Sequence, residues 1–273
     1  MEDTLLANEP AIRLAGFAGI FILMAVLEAL LPRKARTLPR LIRWPSNIGI
    51  VVLNTLMLRF LFPAAAVGMA FIVESEGWGL LNLVGLPHGL AVLAAVILLD
   101  LAIYFQHVVF HHVPVLWRLH RMHHADQDID VTTGARFHPI EILLSMGIKL
   151  GVIVILGVPP VAVLIFEVVL NAAAMFNHAN VRLPPAVDAV LRLFIVTPDM
   201  HRVHHSVHKR ETNSNFGFNL PWWDRLFGTY RAQPEDGHDA MVIGLERFRT
   251  RQDQRLDRML VQPFQGRVKT RDH

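Results

Sequence analysis

Residues 11–31 are apolar apart from Arg13 near the start and Glu28 near the end. At 1.5 Å per residue such a run crosses a hydrocarbon core of about 30 Å. Residues 47–73 form a second apolar run, interrupted by Arg59 and Pro63, and residues 88–110 a third. Two shorter runs, 139–157 and 160–178, are separated by Val158-Pro159, which reads as the tight break of a helical hairpin over 139–178. Beyond Val181 the chain turns mostly polar, with short amphipathic pieces. The pattern predicts an all-α, polytopic membrane helix bundle with spans at about 11–31, 47–73 and 88–110. Segments 111–138 and 179–273 remain for a cap. No internal repeat, low-complexity stretch or flexible linker divides the chain, so 1–273 reads as a single membrane domain.

Composition supports the membrane reading: 53% of the 273 residues are hydrophobic and the mean hydropathy is +0.38, more apolar than a soluble domain of this length. The formal charge is +3 and the pI about 9.7. The basic residues flank apolar runs, which fits anionic lipid headgroups and not nucleic acid. Arg33, Lys34, Arg36, Arg40 and Arg43 follow the first span, whereas 74–87 holds no Lys or Arg. The positive-inside rule therefore expects a cytoplasmic basic loop, an outward N-terminus and a third span returning to the cytoplasm near His107. The hairpin, the cap and the C-terminus follow on that side. Met1-Glu2-Asp3 lacks the basic start of a cleaved signal, so the first run is expected to be retained. The chain has no cysteine, which excludes disulfides, thiolate metal sites and cysteine nucleophiles.

Charges within hydrocarbon need partners. If the hairpin turns near Val158-Pro159, Lys149 and Glu167 share a depth and should pair. Similar register arithmetic sets Arg59 near Asp100. Asp100 also lies seven residues before His107 on one helix face, so it could instead orient a ligand.

Twelve of the fifteen histidines lie between His107 and His208. His107 and His111 are i, i+4 at the end of the third span. His120, His123 and His124 share one face, His201, His204 and His205 repeat that spacing, and His178 closes the hairpin. The topology brings all four segments to one membrane boundary. Imidazole suits iron, zinc, copper and nickel. Nine candidate ligands are too many for one ion and fit two ions with four or five each. A histidine-rich surface and a haem site are the weaker readings. His88, His238 and His273 read as polar caps, and His112 lies one residue off the face of His107 and His111.

Tyr104-Phe105-Gln106-His107 through His111, Leu116-Trp117-Arg118-Leu119-His120 through His124, and Arg136-Phe137-His138-Pro139-Ile140-Glu141 resemble the fatty acid hydroxylase/sterol desaturase superfamily. So do Thr197-Pro198-Asp199-Met200-His201 through His205, Asn215 to Asn219, and Trp223 to Thr229. The likeness covers about 95–231. It implies a histidine-ligated pair of metal ions, two irons with zinc as the alternative, that hydroxylates or desaturates a lipid with O2. Some relatives carry a paired HxxxH after the hairpin, where this chain has only His178. His138, His208 or Asn180, or water, then stands as an additional ligand.

The implied activity is a di-iron lipid hydroxylase or desaturase acting on a fatty acyl, sterol or other isoprenoid substrate. No electron-carrier domain is evident, so electrons are expected from a partner: ferredoxin, rubredoxin or a cytochrome. A membrane zinc hydrolase or lyase is the second reading, disfavoured because no Glu lies inside the histidine motifs as a general base. A non-catalytic metal-binding protein is the third, disfavoured because the histidines cluster at one boundary and do not run across the bilayer. Arg136 and Glu141 bracket a helix start and read as a local ion pair and cap. Asn213, Asn215 and Asn219 could line a substrate mouth, while Trp222 and Trp223 read as interfacial anchors. Leu245, Phe248, Gln252, Leu256 and Met259 suggest a helix lying on the membrane.

Overall fold

A computed structural model describes residues 2–62 and 65–266; Pro63 and His273 lie outside the described residues. Among these residues the chain is helical, and its β structure amounts to two isolated bridges, Pro32 to Val181 and Ser206 to Ile243. The principal helices are α1 Glu9–Leu30, α2 Arg40–Leu61, α3 Ala65–Ser75 and α4 His88–His112. They continue with α5 Pro114–His124, α6 Pro139–Leu156, α7 Pro160–Asn177 and α8 Pro198–His204. Pro114, Pro139, Pro160 and Pro198 each open their helix, where a fixed φ suits the first turn and the missing N–H costs no bond. Five segments are long and apolar enough to cross a membrane: Glu9–Leu30, Arg40–Val84, His88–His112, Pro139–Leu156 and Pro160–Asn177.

The hairpin turns at Gly157, whose φ of 73° ends α6 in the left-handed region. A Cβ on Gly157 would lie 2.6 Å from the Trp78 carbonyl, and one on Gly79 only 2.1 Å from the Gly157 nitrogen. The 74–87 loop is thereby fixed against the hairpin tip. At the same end, His88 meets Glu2 at 2.9 Å. At the other end, Arg33 pairs with Asp199 at 2.9 Å, and the Lys34 amide donates to Asn180 at 3.0 Å. The basic linker and the histidine-bearing cap therefore share one side, opposite the first residues and the 74–87 loop.

α7 is the axis of the bundle. Ala162, Val163 and Phe166 pack with Ala66, Val67 and Ala70 of α3, Ala95 and Leu99 of α4, and Ile153 of α6. Lys149 Nζ lies 2.5 Å from Glu167 Oε1, so the hairpin pair forms, and Arg13 of α1 joins the same carboxylate.

Three sequence expectations are corrected. The second crossing begins as helix at Arg40, and its first turns belong to the cap: Arg43 binds Asp126 and Asp130 at 2.6 Å, and Asn47 donates to Thr132 at 2.9 Å. Arg59 does not pair with Asp100. Arg59 is exposed, while Asp100 accepts from the Asn219 and Leu220 amides and from Trp223 Nε1 at 2.8 Å. Finally, the 245–259 stripe is not one membrane-surface helix. Phe248 adopts a φ of 63°, and the chain then forms a short 3-10 turn, Arg251–Gln254, and a helix, Leu256–Val261. Phe248 and Met259 are buried in the cap, Met259 against Ile50 and Met122.

Candidate metal centre

The helix period does the local placing. The last turns of α4 present His107 and His111 on one face, α5 presents an i, i+3, i+4 trio, and α8 presents His201 and His204. His178 follows the end of α7 and His205 the end of α8. The nine imidazoles meet in two groups. His107, His111, His120, His124 and His204 form one, and His123, His178, His201 and His205 the other. Within each group one nitrogen from each ring lies within 4.8 Å of those of the others, and every ring is buried. The groups touch: the His124 and His205 rings stack at 4.5 Å.

Outer partners decide which nitrogen faces inward. His107 Nδ1 lies 2.8 Å from the Phe216 carbonyl, His178 Nδ1 2.7 Å from that of Ala174, and His204 Nδ1 2.7 Å from that of Ser214. His120 Nδ1 lies 2.6 Å from Glu141 Oε1, and His111 Nδ1 3.3 Å from Asn213 Oδ1. A carbonyl or carboxylate oxygen can only accept, so each of these Nδ1 atoms carries the hydrogen and each Nε2 keeps a free lone pair. The Nε2 atoms converge: His124 and His111 at 3.2 Å, His178 and His123 at 3.1 Å, His201 and His178 at 3.1 Å. Two nitrogens about 2.1 Å from one ion and at right angles stand about 3.0 Å apart.

Without an ion this arrangement is hard to account for. His107, His120 and His204 Nε2, and both nitrogens of His205, are buried with no hydrogen-bond partner. Such orphans cost about 1–3 kcal/mol each. Burial pushes the His204 imidazole down to about 3 and holds His123, His124, His201 and His205 well below the usual histidine range. Neutral rings with inward lone pairs are the form a cation requires. The residues present therefore fit two metal ions.

The remaining sequence candidates sit elsewhere. His138 caps α6, accepting from the Ile140 amide, with its Nε2 near the Leu260 carbonyl. His208 is half-buried beside Asp236. Asn180 binds Lys34 and Arg202. Asp100 touches no histidine and instead fixes the segment at Asn219 to Trp223. His112 turns back to the Val108 carbonyl, and His88 pairs with Glu2. Arg136 and Glu141 do not form a local pair. Glu141 orients His120, while Arg136 binds the Met122 carbonyl, Asn47 and Gln254. Of the asparagines read as a mouth, Asn213 supports His111 and Asn215 is buried on the Met200 and Arg231 carbonyls.

Sequence reasoning missed the support behind α5. Asp126, two residues after His124, binds Arg43 through both oxygens at 2.6 and 2.7 Å and also accepts from Thr133. Asp130 takes a further Arg43 nitrogen at 2.6 Å. Arg43 holds Asp126 far below the usual carboxylate range even though burial opposes ionisation. The alternation Asp126, Asp128, Asp130 directly after a histidine motif was the available signal.

Comparison with known proteins agrees with this geometry. The family model described as fatty acid hydroxylase matches residues 92–229, a segment that contains all nine clustered histidines. The chain belongs to the fatty acid hydroxylase family. Among its relatives, the ornithine lipid hydroxylase OlsE of Rhizobium tropici is 31% identical over 148 residues, 54% of this chain and 44% of that protein. The human alkylglycerol monooxygenase is 29% identical over 54% of this chain and 31% of its own length. Human cholesterol 25-hydroxylase is 27% identical over 52% of this chain and 51% of its own. The fatty acid hydroxylase match thus spans about a third to a half of these relatives. No solved structure matches the chain.

Proposed function

We propose that the chain is a multi-pass membrane oxygenase that hydroxylates a lipid with O2 at a pair of histidine-bound metal ions, which we assign as iron. The carrying observation is the division of nine buried histidines into groups of five and four with their free lone pairs turned inward. The three relatives are by name a lipid hydroxylase, a monooxygenase of alkylglycerols and a sterol hydroxylase, which favours hydroxylation over desaturation. They span ornithine lipid, ether glycerol and sterol, so the substrate is assigned here only as a lipid.

His107, His111, His120, His124 and His204 would hold one ion and His123, His178, His201 and His205 the other. Bound iron supplies the redox chemistry by which O2 is reduced; one oxygen atom enters the C–H bond and the other leaves as water, with two electrons and two protons consumed. The chain itself orients the rings. Glu141 fixes the proton of His120 on Nδ1, and the Phe216, Ala174 and Ser214 carbonyls do the same for His107, His178 and His204. Burial of the nine rings excludes bulk water from the reacting volume. The carboxylates near the groups already have partners, Glu141 Oε1 on His120 and Asp126 and Asp130 on Arg43, which disfavours a zinc hydrolase.

Electrons would come from a separate ferredoxin, rubredoxin or cytochrome docking on the cap side. The positive-inside rule assigns that side to the cytoplasm, because the basic linker lies against the cap. Metal analysis of the purified protein combined with lipid-dependent O2 uptake tests the reading. Iron near two per chain and O2 uptake are expected. Stoichiometric zinc with lipid hydrolysis and no O2 uptake would overturn it.

A further inference from the structure

Away from the histidine groups, the cap contains a partly open cavity of about 190 Å³ whose wall includes Lys34, Asp128, Asn180, Arg202, Met241 and Arg249. A single water occupies about 10–15 Å³ by this kind of measure, so the space accepts a tetrahedral oxyanion together with several waters. Its charges are unevenly matched. Lys34 Nζ donates to the Asp239 and Met241 carbonyls, and Arg249 donates to the Ile243 and Leu245 carbonyls. Both cations are thus held by neutral acceptors. Arg202 is only 1% exposed; one of its nitrogens donates to Asn180 at 3.1 Å, its Nε has no hydrogen-bond partner, and its nearest carboxylate oxygen, on Asp199, is 3.9 Å away. The one carboxylate in the wall, Asp128, already accepts the Thr37 and Leu38 amides at 2.7 Å each.

We propose that this cavity binds a phosphate-type oxyanion through Arg202, Lys34 and Arg249. The wall holds three cations and one carboxylate that backbone amides already engage, and the buried Arg202 guanidinium, with Asp199 outside the wall at 3.9 Å, keeps a nitrogen without a hydrogen bond. Guanidinium and ammonium groups together recognise tetrahedral oxyanions through charge-assisted hydrogen bonds. Lys34 lies in the linker between the first two crossings, at the membrane boundary on the cap side. A lipid headgroup phosphate reaches this depth from the bilayer, and free phosphate reaches it from water. Either occupant braces the histidine shell, because Arg202 sits between His201 and His204 on α8 and Asn180 lies two residues after His178. The site is independent of the metal assignment.

The test uses the full chain. Inorganic phosphate is titrated calorimetrically into detergent-purified protein. In parallel, thermal unfolding is followed in nanodiscs of phosphatidylcholine with and without phosphatidic acid. Lys34→Gln and Arg249→Gln are compared with Arg255→Gln, which removes an exposed charge outside the cavity. Arg202→Gln is informative only if it folds, so Lys34→Gln and Arg249→Gln carry the test. Saturable phosphate binding that weakens about tenfold in each cavity variant, with Arg255→Gln unchanged, supports the site with a soluble occupant. A rise in Tm with phosphatidic acid that both cavity variants lose and Arg255→Gln keeps supports it with a headgroup occupant. No response to either anion, or a response that Arg255→Gln diminishes as much as the cavity variants do, overturns the proposal.

Discussion

Each histidine has two nitrogens, and the partner of one determines the work of the other. His120 gives its Nδ1 hydrogen to Glu141, so its Nε2 faces the group with an available lone pair. Glu141→Gln keeps an acceptor but removes the charge that raises ligand basicity. Loss of such a partner costs about 10–100-fold in metal affinity or activity, and Glu141→Gln is expected in that range, with the protein still folded. Unchanged metal content and turnover would show that Glu141 only fills space. His123 sits in the group of four, 3.1 Å from His178 and stacked on Phe137. His123→Ala is expected to abolish activity and lower the metal content measured by mass spectrometry. His88→Ala should change neither, because His88 lies at the other end of the bundle beside Glu2. Equal activity in the two variants would remove the basis for the ligand assignment.

At the scale of elements, the hairpin was legible because its markers are local. Prolines open both arms, Gly157 ends the first, and a charge on each arm meets across the turn. The same kind of arithmetic failed for Arg59 and Asp100. Distant donors satisfy Asp100, and no helical period reveals that segment 219–223 returns to α4. The histidine motifs were legible for the reason the hairpin was: an i, i+3, i+4 spacing is fixed within one turn. Their outer partners were not, because the Phe216, Ser214 and Ala174 carbonyls are backbone groups with no sequence signature. The apolar stripe at 245–259 misled because periodicity does not register the positive φ at Phe248 that breaks it. Glu167 now has two cationic partners, Lys149 and Arg13. Glu167→Gln is therefore expected to destabilise more than Lys149→Ala. Their double-mutant cycle should depart from additivity by at least about 0.5 kcal/mol in thermal unfolding. Additive effects would mean that the three charges are separately solvated.

At the scale of the whole molecule, the cap and the basic linker share one side of the bundle, and one charge rule then orients everything. A phosphatase reporter fused after residue 273, active only when exported, should stay inactive; an active fusion would reverse the topology. The histidine groups also couple the fold to protons. His204 is held at about 3 in the folded chain by burial, against an ordinary value of 6.5, and His123, His124, His201 and His205 are lowered too. In metal-stripped protein the unfolded state therefore binds more protons than the folded state below pH 6.5. Stability is fully present above that pH and falls as the solution is acidified from 6.5 towards the folded values. Each such ring contributes a slope of up to about 1.4 kcal/mol per pH unit. A bound cation competes with the same protons for the same lone pairs, so the metal-loaded protein should hold its Tm to lower pH than the stripped form. Thermal unfolding of both forms between pH 7.5 and about 5 reads this directly. The stripped protein is expected to lose Tm steeply below pH 6.5, with the loaded protein trailing until protons displace the metal. A stripped protein whose Tm is flat across that interval would mean that these five rings are not held neutral together, and the case for two ions would fall with it.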